Sequence, residues 1–205
     1  MKPFYLLVFA FLFVLLNLSI TLAATTQVNP NADTQIYQGS PDTTYGTQNI
    51  STSVRAVFFA GAGYTRGLLN FTLNSTNLGT ITSIKLYIRN GGVYASGEWM
   101  SVHRLMNIST SFIETKTTWN VYGNSDGTNG TWKIVGGDFN ATIIDTHKAV
   151  SGAWENFTLM GDGADVNWAL TWGDNVQILL NATNTTGDGL GAGYYSREGA
   201  DNYAP

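Results

Sequence analysis

Two neighbouring segments between Arg66 and Arg89 constrain the fold of this chain more than any other feature of its sequence. From Ser83 to Arg89 polar and apolar residues alternate strictly, and this period of two predicts a β-strand with one face in a core and the other in water. The segment from Leu68 to Leu73 is more continuously apolar, which is typical of a strand buried on both faces. Residues 74–79 between them are turn formers. We therefore expect two strands joined by a loop.

Short segments before and after this pair predict further strands, separated by residues that favour turns. The further strands are expected at 32–37, 49–59, 99–106, 132–135, 142–144, 154–160, 176–180 and 193–197. Asn90-Gly91-Gly92 predicts a hairpin turn into the strand that begins at Trp99. One short helix is predicted from Asp165, a candidate N-cap, to Gly173. Many short strands with one short helix predict an all-β fold, an antiparallel β-sandwich of jelly-roll type.

The first 23 residues have the pattern of a secretory signal peptide. Lys2 precedes a long apolar run, and small residues follow it at Thr21, Ala23 and Ala24. The length of the apolar run leaves an uncleaved membrane anchor as the alternative. In both cases residues 24–205 are expected to form one domain outside the cytoplasm, secreted or at the cell surface. After signal cleavage no part of that domain is expected to enter a membrane.

Charge and cysteine content narrow the class of protein further. The chain has 10 Lys and Arg against 14 Asp and Glu, which argues against nucleic-acid binding because such proteins carry a basic footprint. It contains no cysteine, so an exported domain of this kind is held by its core or by bound ions rather than by disulfides.

Asn-X-Ser/Thr sequons recur along residues 24–205 and make the chain a candidate glycoprotein. The alternative is that a sequence rich in Asn and Thr produces such triplets by chance. Asn70 lies inside a strand predicted to be buried, which conflicts with modification there. The sequons begin at Asn49, Asn70, Asn74, Asn107, Asn129, Asn140, Asn156, Asn181 and Asn184.

Six short motifs occur in an order that resembles a known family. They are Ala32-Asp33-Thr34 with Gly39 to Gly46, Arg66 to Phe71, Ile81 to Leu86, Phe112 to Asn120, Asp165 to Trp172, and Tyr195 to Glu198 with Pro205. Together they resemble the DNRLRE domain, also classed as carbohydrate-binding module family 96 and related to the disaggregatase repeats. Phe112 stands where the family usually has Trp.

The resemblance implies a non-catalytic module that binds polysaccharide. It also implies one more strand after Pro205, so this sequence is expected to lack its final strand. A partner chain that supplies the strand by β-augmentation, or further domains beyond Pro205, would fit the same pattern. Arg66 and Arg197 belong to the motifs and are expected to be partly buried, hydrogen-bonded and important for the fold. Trp119 is expected to be a core residue rather than a platform for sugar.

No catalytic constellation is visible, and we predict that the chain is not an enzyme. Gly123 to Gly127 satisfies G-x-S-x-G but lacks the preceding strand and following helix of a nucleophile elbow. His103 and His147 have no partner at zinc spacing. Nothing in the sequence pairs any two of the glutamates as acid and base. The glutamates considered are Glu98, Glu114, Glu155 and Glu198.

The best candidate for ligand binding is the outward face of the strand that ends at Arg89. Lys85, Tyr87 and Arg89 share this face, and the strand across the predicted hairpin is expected to add its own alternating residues. Those residues are Trp99, Ser101 and His103. Cations bind carboxylates and aromatic rings stack on sugars, so the face predicts binding of an acidic polysaccharide such as alginate or a matrix glycan. The alternative is an ordinary solvated strand face.

Two further possibilities follow from the loops and from the surface. Asp33 and Asp42 lie in loops rich in carbonyl oxygens and are candidate ligands of a structural Ca²⁺, although Asp also forms turns and caps.

For the whole protein, the alternative to polysaccharide binding is a structural or adhesive module of the cell envelope without a specific sugar site.

Overall fold

The structure is a computed structural model that describes residues 25–48, 50–53, 63–73, 81–93, 99–106, 112–123, 129–160, 175–183 and 191–197. Within these residues the chain forms eleven β-strands and no helix. The strands are β1 Ala32–Tyr37, β2 Ile50–Ser53, β3 Thr65–Thr72, β4 Ile84–Val93, β5 Trp99–Leu105, β6 Val121–Gly123, β7 Asn129–Thr131, β8 Phe139–Lys148, β9 Trp154–Met160, β10 Asn175–Ala182 and β11 Gly191–Tyr194.

The strands form an antiparallel β-sandwich, as the sequence predicts. One layer has the order β1-β3-β10-β5-β8 and the other has the order β2-β11-β4-β9. The two layers are joined by a single pairing of β2 with β3, Ser53 opposite Thr65. At the far ends β8 contacts β9, and the backbone N–H of Thr158 donates to Asp145 Oδ2 at 2.6 Å. β6 and β7 form a separate small hairpin.

A hydrophobic core lies between the two layers. Alternating residues of β3, β5 and β10 meet those of β4, β9 and β11, because each strand presents every second side chain to the same side. Burial of each large apolar side chain contributes about 1.5–3 kcal/mol. The fully buried members of this core include Leu69, Ile88, Met100, Phe157, Ile178 and Tyr194.

A second core lies on the other face of the first layer. Leu68 of β3 and Leu179 of β10 point to it and are covered by the segment from Phe112 to Phe139, which supplies Trp119 and Trp132. Successive residues of β3 therefore enter two different cores. This arrangement confirms the prediction that the Arg66 strand is buried on both faces.

The predicted hairpin at Asn90-Gly91-Gly92 is wrong, because these residues continue β4. β4 is paired with β9 and β11, whereas Ser101 of β5 is paired with both Asn181 of β10 and Thr146 of β8. The side chain of Asn90 is buried and donates to Glu155 Oε1 at 2.8 Å. This contact ties a residue that favours turns into the middle of a strand.

The predicted strand at 132–135 is also wrong. Residues 133–136 form a bend and a turn. The carboxylate of Asp138 accepts the backbone N–H of Lys133 at 2.9 Å and that of Ile134 at 2.6 Å. A side chain that satisfies two consecutive backbone donors competes with strand pairing.

The remaining predictions differ mainly in strand ends. β8 is longer than the predicted 142–144, the last described strand ends at Tyr194 rather than at Arg197, and the β6–β7 hairpin falls in segments predicted as irregular. The predicted signal peptide, the predicted helix from Asp165 to Gly173 and the residues after Arg197 lie outside the described part of the chain. Among the described residues, no helix is long and apolar enough to cross a membrane.

Candidate functional site

The outward face of β4 carries the three residues that the sequence singled out. Lys85 is exposed, Tyr87 is 53% exposed and Arg89 is half-buried. Leu86 and Ile88 between them are buried in the core. The alternation along β4 therefore separates a core face from a solvent face, as predicted.

The strand beside this face is β9. In the register of the pair, Arg89 lies opposite Trp154 and Tyr87 lies opposite Asn156. Directly opposite residues of an antiparallel pair have Cβ atoms about 4.5–5.5 Å apart. Trp154 is 46% exposed and Arg89 is half-buried, so both side chains belong to the outward face of the strand pair. We name the set Lys85, Tyr87, Arg89 and Trp154 the β4–β9 face.

A further aromatic residue borders the β4–β9 face on its other side. The backbone N–H of Tyr195, just after β11, donates to the carbonyl of Arg89 at 3.1 Å. A Cβ placed on Gly91 would lie 3.4 Å from Cε2 of Tyr195. The ring of Tyr195 therefore lies at van der Waals contact distance from position 91, next to the outward positions of Tyr87 and Arg89.

The electrostatic character of the β4–β9 face differs from that of the whole chain. It has two cationic side chains, and the outward positions of β4 and β9 hold no carboxylate. Lys85 makes no ion pair within the described part of the protein. The carboxylates of that part accept hydrogen bonds from other groups of the fold. They are Asp33, Asp42, Glu114, Asp138, Asp145 and Glu155.

Trp99, Ser101 and His103 do not share the face of Lys85. They lie on β5, in the other layer of the sandwich, so the prediction of one continuous face across a hairpin is wrong. Trp99 is 48% exposed and lies opposite Lys148 of β8. A binding role for Trp99 or His103 stays a prediction, separate from the β4–β9 face.

Ser101 and His103 are buried and form a hydrogen-bonded pair. Ser101 Oγ lies 2.9 Å from Nε2 of His103, and Nδ1 of His103 lies 2.9 Å from the carbonyl oxygen of Asn140. Burial lowers the pKa of His103, and the charge of Arg66 lowers it further. Because a carbonyl oxygen can only accept, Nδ1 of His103 donates to Asn140. The hydroxyl of Ser101 lies within hydrogen-bond distance both of Nε2 of His103 and of the carbonyl oxygen of Asn181, at 3.1 Å.

The two predicted calcium ligands have protein partners. Asp33 is buried; its Oδ2 accepts the backbone N–H of Arg197 at 2.9 Å, and its own N–H donates to Glu114 Oε2 at 3.0 Å. The guanidinium of Arg197 donates to the other oxygen of Glu114. Asp42 Oδ1 accepts from Asn120 Nδ2 at 2.7 Å. Among the described residues no three or more His, Cys, Asp or Glu side chains cluster as a metal site. The calcium site stays a prediction.

These contacts join three of the six sequence motifs. Asp33 belongs to the first, Glu114 to the fourth and Arg197 to the last, and one hydrogen-bonded network links them. Arg66 donates to the carbonyl of Gly136 at 2.5 Å and lies 5.0 Å from the ring centre of Trp119. The motif residues thus serve the fold, although the side chain of Arg197 is 36% exposed.

The model of carbohydrate-binding module family 96 matches residues 24–159. The chain belongs to this family. The match includes all of β4 and all of β9 except Met160, and it therefore includes every residue of the β4–β9 face. No match was found among curated proteins. Family 96 membership identifies the chain as a carbohydrate-binding module and narrows the search for its site to surfaces that suit a sugar.

In this family 96 module the β4–β9 face has the chemistry that a sugar surface needs. Its two aromatic rings offer flat apolar area, and its two cations offer donors in a fixed row. Sequence reasoning found β4 but missed Trp154 and Tyr195. The alternation from Trp154 to Leu159 marks a half-buried strand with Trp154 on its solvent side, but nothing local shows that this strand lies beside β4.

Proposed function

We propose that this family 96 module binds an acidic polysaccharide, such as alginate or a matrix glycan of the producing cell, on its β4–β9 face. The observation that carries the proposal is the direct cross-strand pairing of Arg89 with the exposed Trp154. Binding is passive: the module holds the protein, or whatever is attached to it, at a polymer surface and performs no reaction.

The aromatic residues supply the affinity for sugar rings in general. Tyr87 and Trp154 are about half exposed although each belongs to a strand whose neighbouring residues are buried. Exposed large aromatic side chains on a flat strand face leave apolar area in water, and a sugar that stacks on them removes that area. The polar tips of Tyr and Trp remain able to bond to hydroxyl groups.

The cations supply the preference for acidic sugars. Arg presents a planar set of donors that matches a carboxylate, and the half-burial of Arg89 limits the conformations that its side chain must lose on binding. Lys85 lies four residues earlier on the same face and adds a second positive charge. In a chain with net charge −4, two cations on one strand face favour the binding of a polyanion there.

The wider setting belongs to the same proposal. Residues 1–23 act as a signal peptide, and the module works outside the cytoplasm, secreted or at the cell surface. Its motif order supports a relation to the DNRLRE domain and the disaggregatase repeats.

Affinity electrophoresis tests this proposal directly. The mature chain is run in gels that contain alginate, pectin, chitosan or a neutral glucan, beside a gel without polymer. We expect retardation by alginate and pectin that added salt relieves, since screening weakens exposed charge pairs. A folded protein that migrates equally in all gels would contradict the proposal and favour the structural or adhesive module.

A further inference from the structure

We infer that Asn156 is an N-glycosylation site whose glycan closes the β4–β9 face. The inference concerns the regulation of the proposed binding surface, and it therefore rests on the proposed function. The sequon Asn156-Phe157-Thr158 lies on β9, in the middle of that surface.

The register places Asn156 at the centre of the face. Asn156 lies directly opposite Tyr87 and two residues after Trp154, on the same side of β9. It is exposed, whereas Phe157 beside it is fully buried in the core. Its side-chain amide has no hydrogen-bond partner among the described residues, so Nδ2 is available for modification.

The other sequons of the described part do not lie on this surface. Asn70 is buried, and its Nδ2 donates to Asn31 Oδ1 at 2.8 Å. Asn140 is on β8 and Asn181 on β10, both in the other layer, and Asn129 is on the separate β7. Among the described sequons, only that of Asn156 would bring a glycan onto the proposed binding surface.

The modification is a substitution at the anomeric carbon of an oligosaccharide carried on a lipid pyrophosphate. Asn156 Nδ2 forms a bond to that carbon and loses one proton, while the bond from the carbon to the pyrophosphate oxygen breaks and the lipid pyrophosphate leaves. An oligosaccharyltransferase of the secretory route catalyses the step, and the hydroxyl of Thr158 completes the sequon that the enzyme reads.

The attached glycan would block polymer without disturbing the fold. A glycan is bulky and hydrated, and from Asn156 it would cover Tyr87, which lies directly opposite, and Trp154, which lies two residues earlier on the same strand. Because the Asn156 side chain points to water, no core contact is lost. The unmodified and modified chains are thus a binding form and a closed form of the same folded module.

The test compares chains from a host that N-glycosylates and from a host that does not. The secreted wild-type chain is compared with Thr158→Ala, which removes this sequon and leaves Asn156 in place, and with Thr142→Ala, which removes the sequon of Asn140 on β8. Peptide mass spectrometry measures occupancy of Asn156, and alginate gels measure binding. An endoglycosidase that leaves a single sugar provides trimmed wild-type protein.

We expect the glycosylated wild type and Thr142→Ala to run unretarded in alginate, and Thr158→Ala to be retarded as strongly as unglycosylated protein. Trimming should restore most of the retardation. An unoccupied Asn156, or glycosylated protein retarded as strongly as Thr158→Ala, would overturn the inference and leave the proposed function intact. If the unglycosylated protein is itself unretarded by alginate, the proposed function fails and the inference falls with it.

Discussion

Arg89 of β4 lies directly opposite Trp154 of β9, on the outer surface of the second layer. The two strands are neighbours in this layer although they are distant in sequence. Strand pairing therefore fixes the backbones of these two residues side by side, and the neighbouring residue Ile88 is buried in the core. An arrangement built on two paired strands has little freedom to lose when a ligand binds, which favours affinity.

The first prediction concerns the guanidinium of Arg89. Arg89→Lys keeps the charge but removes the paired donors, so affinity for alginate should fall about tenfold, equivalent to about 1.4 kcal/mol. Lys148→Ala, which removes an exposed cation from β8 in the other layer, is the control and should change retention little. Full retention of Arg89→Lys together with a loss in Lys148→Ala would contradict the prediction and would mean that total charge, rather than the paired donors, sets the affinity.

The second prediction concerns the buried carboxylate of Glu155. It accepts hydrogen bonds from Tyr194 Oη and Asn90 Nδ2, both at 2.8 Å, and from the backbone N–H of Val150 at 2.9 Å. Burial raises the pKa of Tyr194 and keeps its hydroxyl a donor. Glu155→Ala leaves these donors unsatisfied, so stability should fall by about 3 kcal/mol and the thermal midpoint by roughly 6–12 °C.

Glu155→Gln is the matched control for that substitution. Its carbonyl oxygen can still accept from Asn90 and Val150, and its amide can donate to the oxygen of Tyr194. Calorimetry should therefore show less than half of the loss seen with Ala. An equal loss in both variants would show that the negative charge, rather than the hydrogen bonds, stabilises this part of the core.

The sequence predicted strand periodicity well but predicted strand neighbours poorly. The alternation at Ile84–Arg89 and the apolar run at Leu68–Leu73 foretold burial because core and solvent faces follow directly from a period of two. Which strands become neighbours depends on packing between distant segments. The predicted turn at Asn90 does not form, because the buried side chain of Asn90 donates a hydrogen bond to Glu155, which is remote in sequence.

The candidate site shows the same division. Lys85, Tyr87 and Arg89 were identified because one strand sufficed to place them. Trp154 was missed, and Trp99 was placed on the wrong face, because both assignments required knowledge of sheet order. Arg66 was correctly expected to support the fold.

The third prediction concerns the pH dependence of stability through His103. Burial lowers its pKa below the ordinary value of 6.5, so the unfolded chain takes up a proton before the folded chain does. The resulting stabilisation is complete above about pH 6.5 and is lost as pH falls through the lower, folded-state pKa. The thermal midpoint should therefore drop between pH 7.5 and 5.5.

Replacement of His103 separates this effect from general acid destabilisation. His103→Gln should flatten the dependence of the thermal midpoint on pH between pH 7.5 and 5.5. If the wild type and His103→Gln show the same slope, then groups other than His103 control stability in this range.

The fourth prediction uses two glycines with positive φ. At Gly136 φ is 92°, and a Cβ would lie 2.5 Å from Cζ2 of Trp119 and 2.7 Å from Nη1 of Arg66. At Gly152 φ is 73°, and a Cβ would meet nothing within 4 Å. Gly152→Ala should cost about 1 kcal/mol from backbone strain, and Gly136→Ala about 2 kcal/mol more from overlap. Urea unfolding of both variants checks this; equal costs would show that the Trp119–Arg66 contact yields freely.

The most direct test of the binding account is the retention of Tyr87→Ala, Trp154→Ala and Trp99→Ala in alginate gels. All three remove an aromatic side chain that is about half exposed, but only the first two belong to the β4–β9 face. None should shift the thermal midpoint by more than about 2 °C. We expect Tyr87→Ala and Trp154→Ala each to lower affinity about tenfold and Trp99→Ala to bind as the wild type does. Normal retention of Trp154→Ala together with loss in Trp99→Ala would contradict the account and place the site on the other layer.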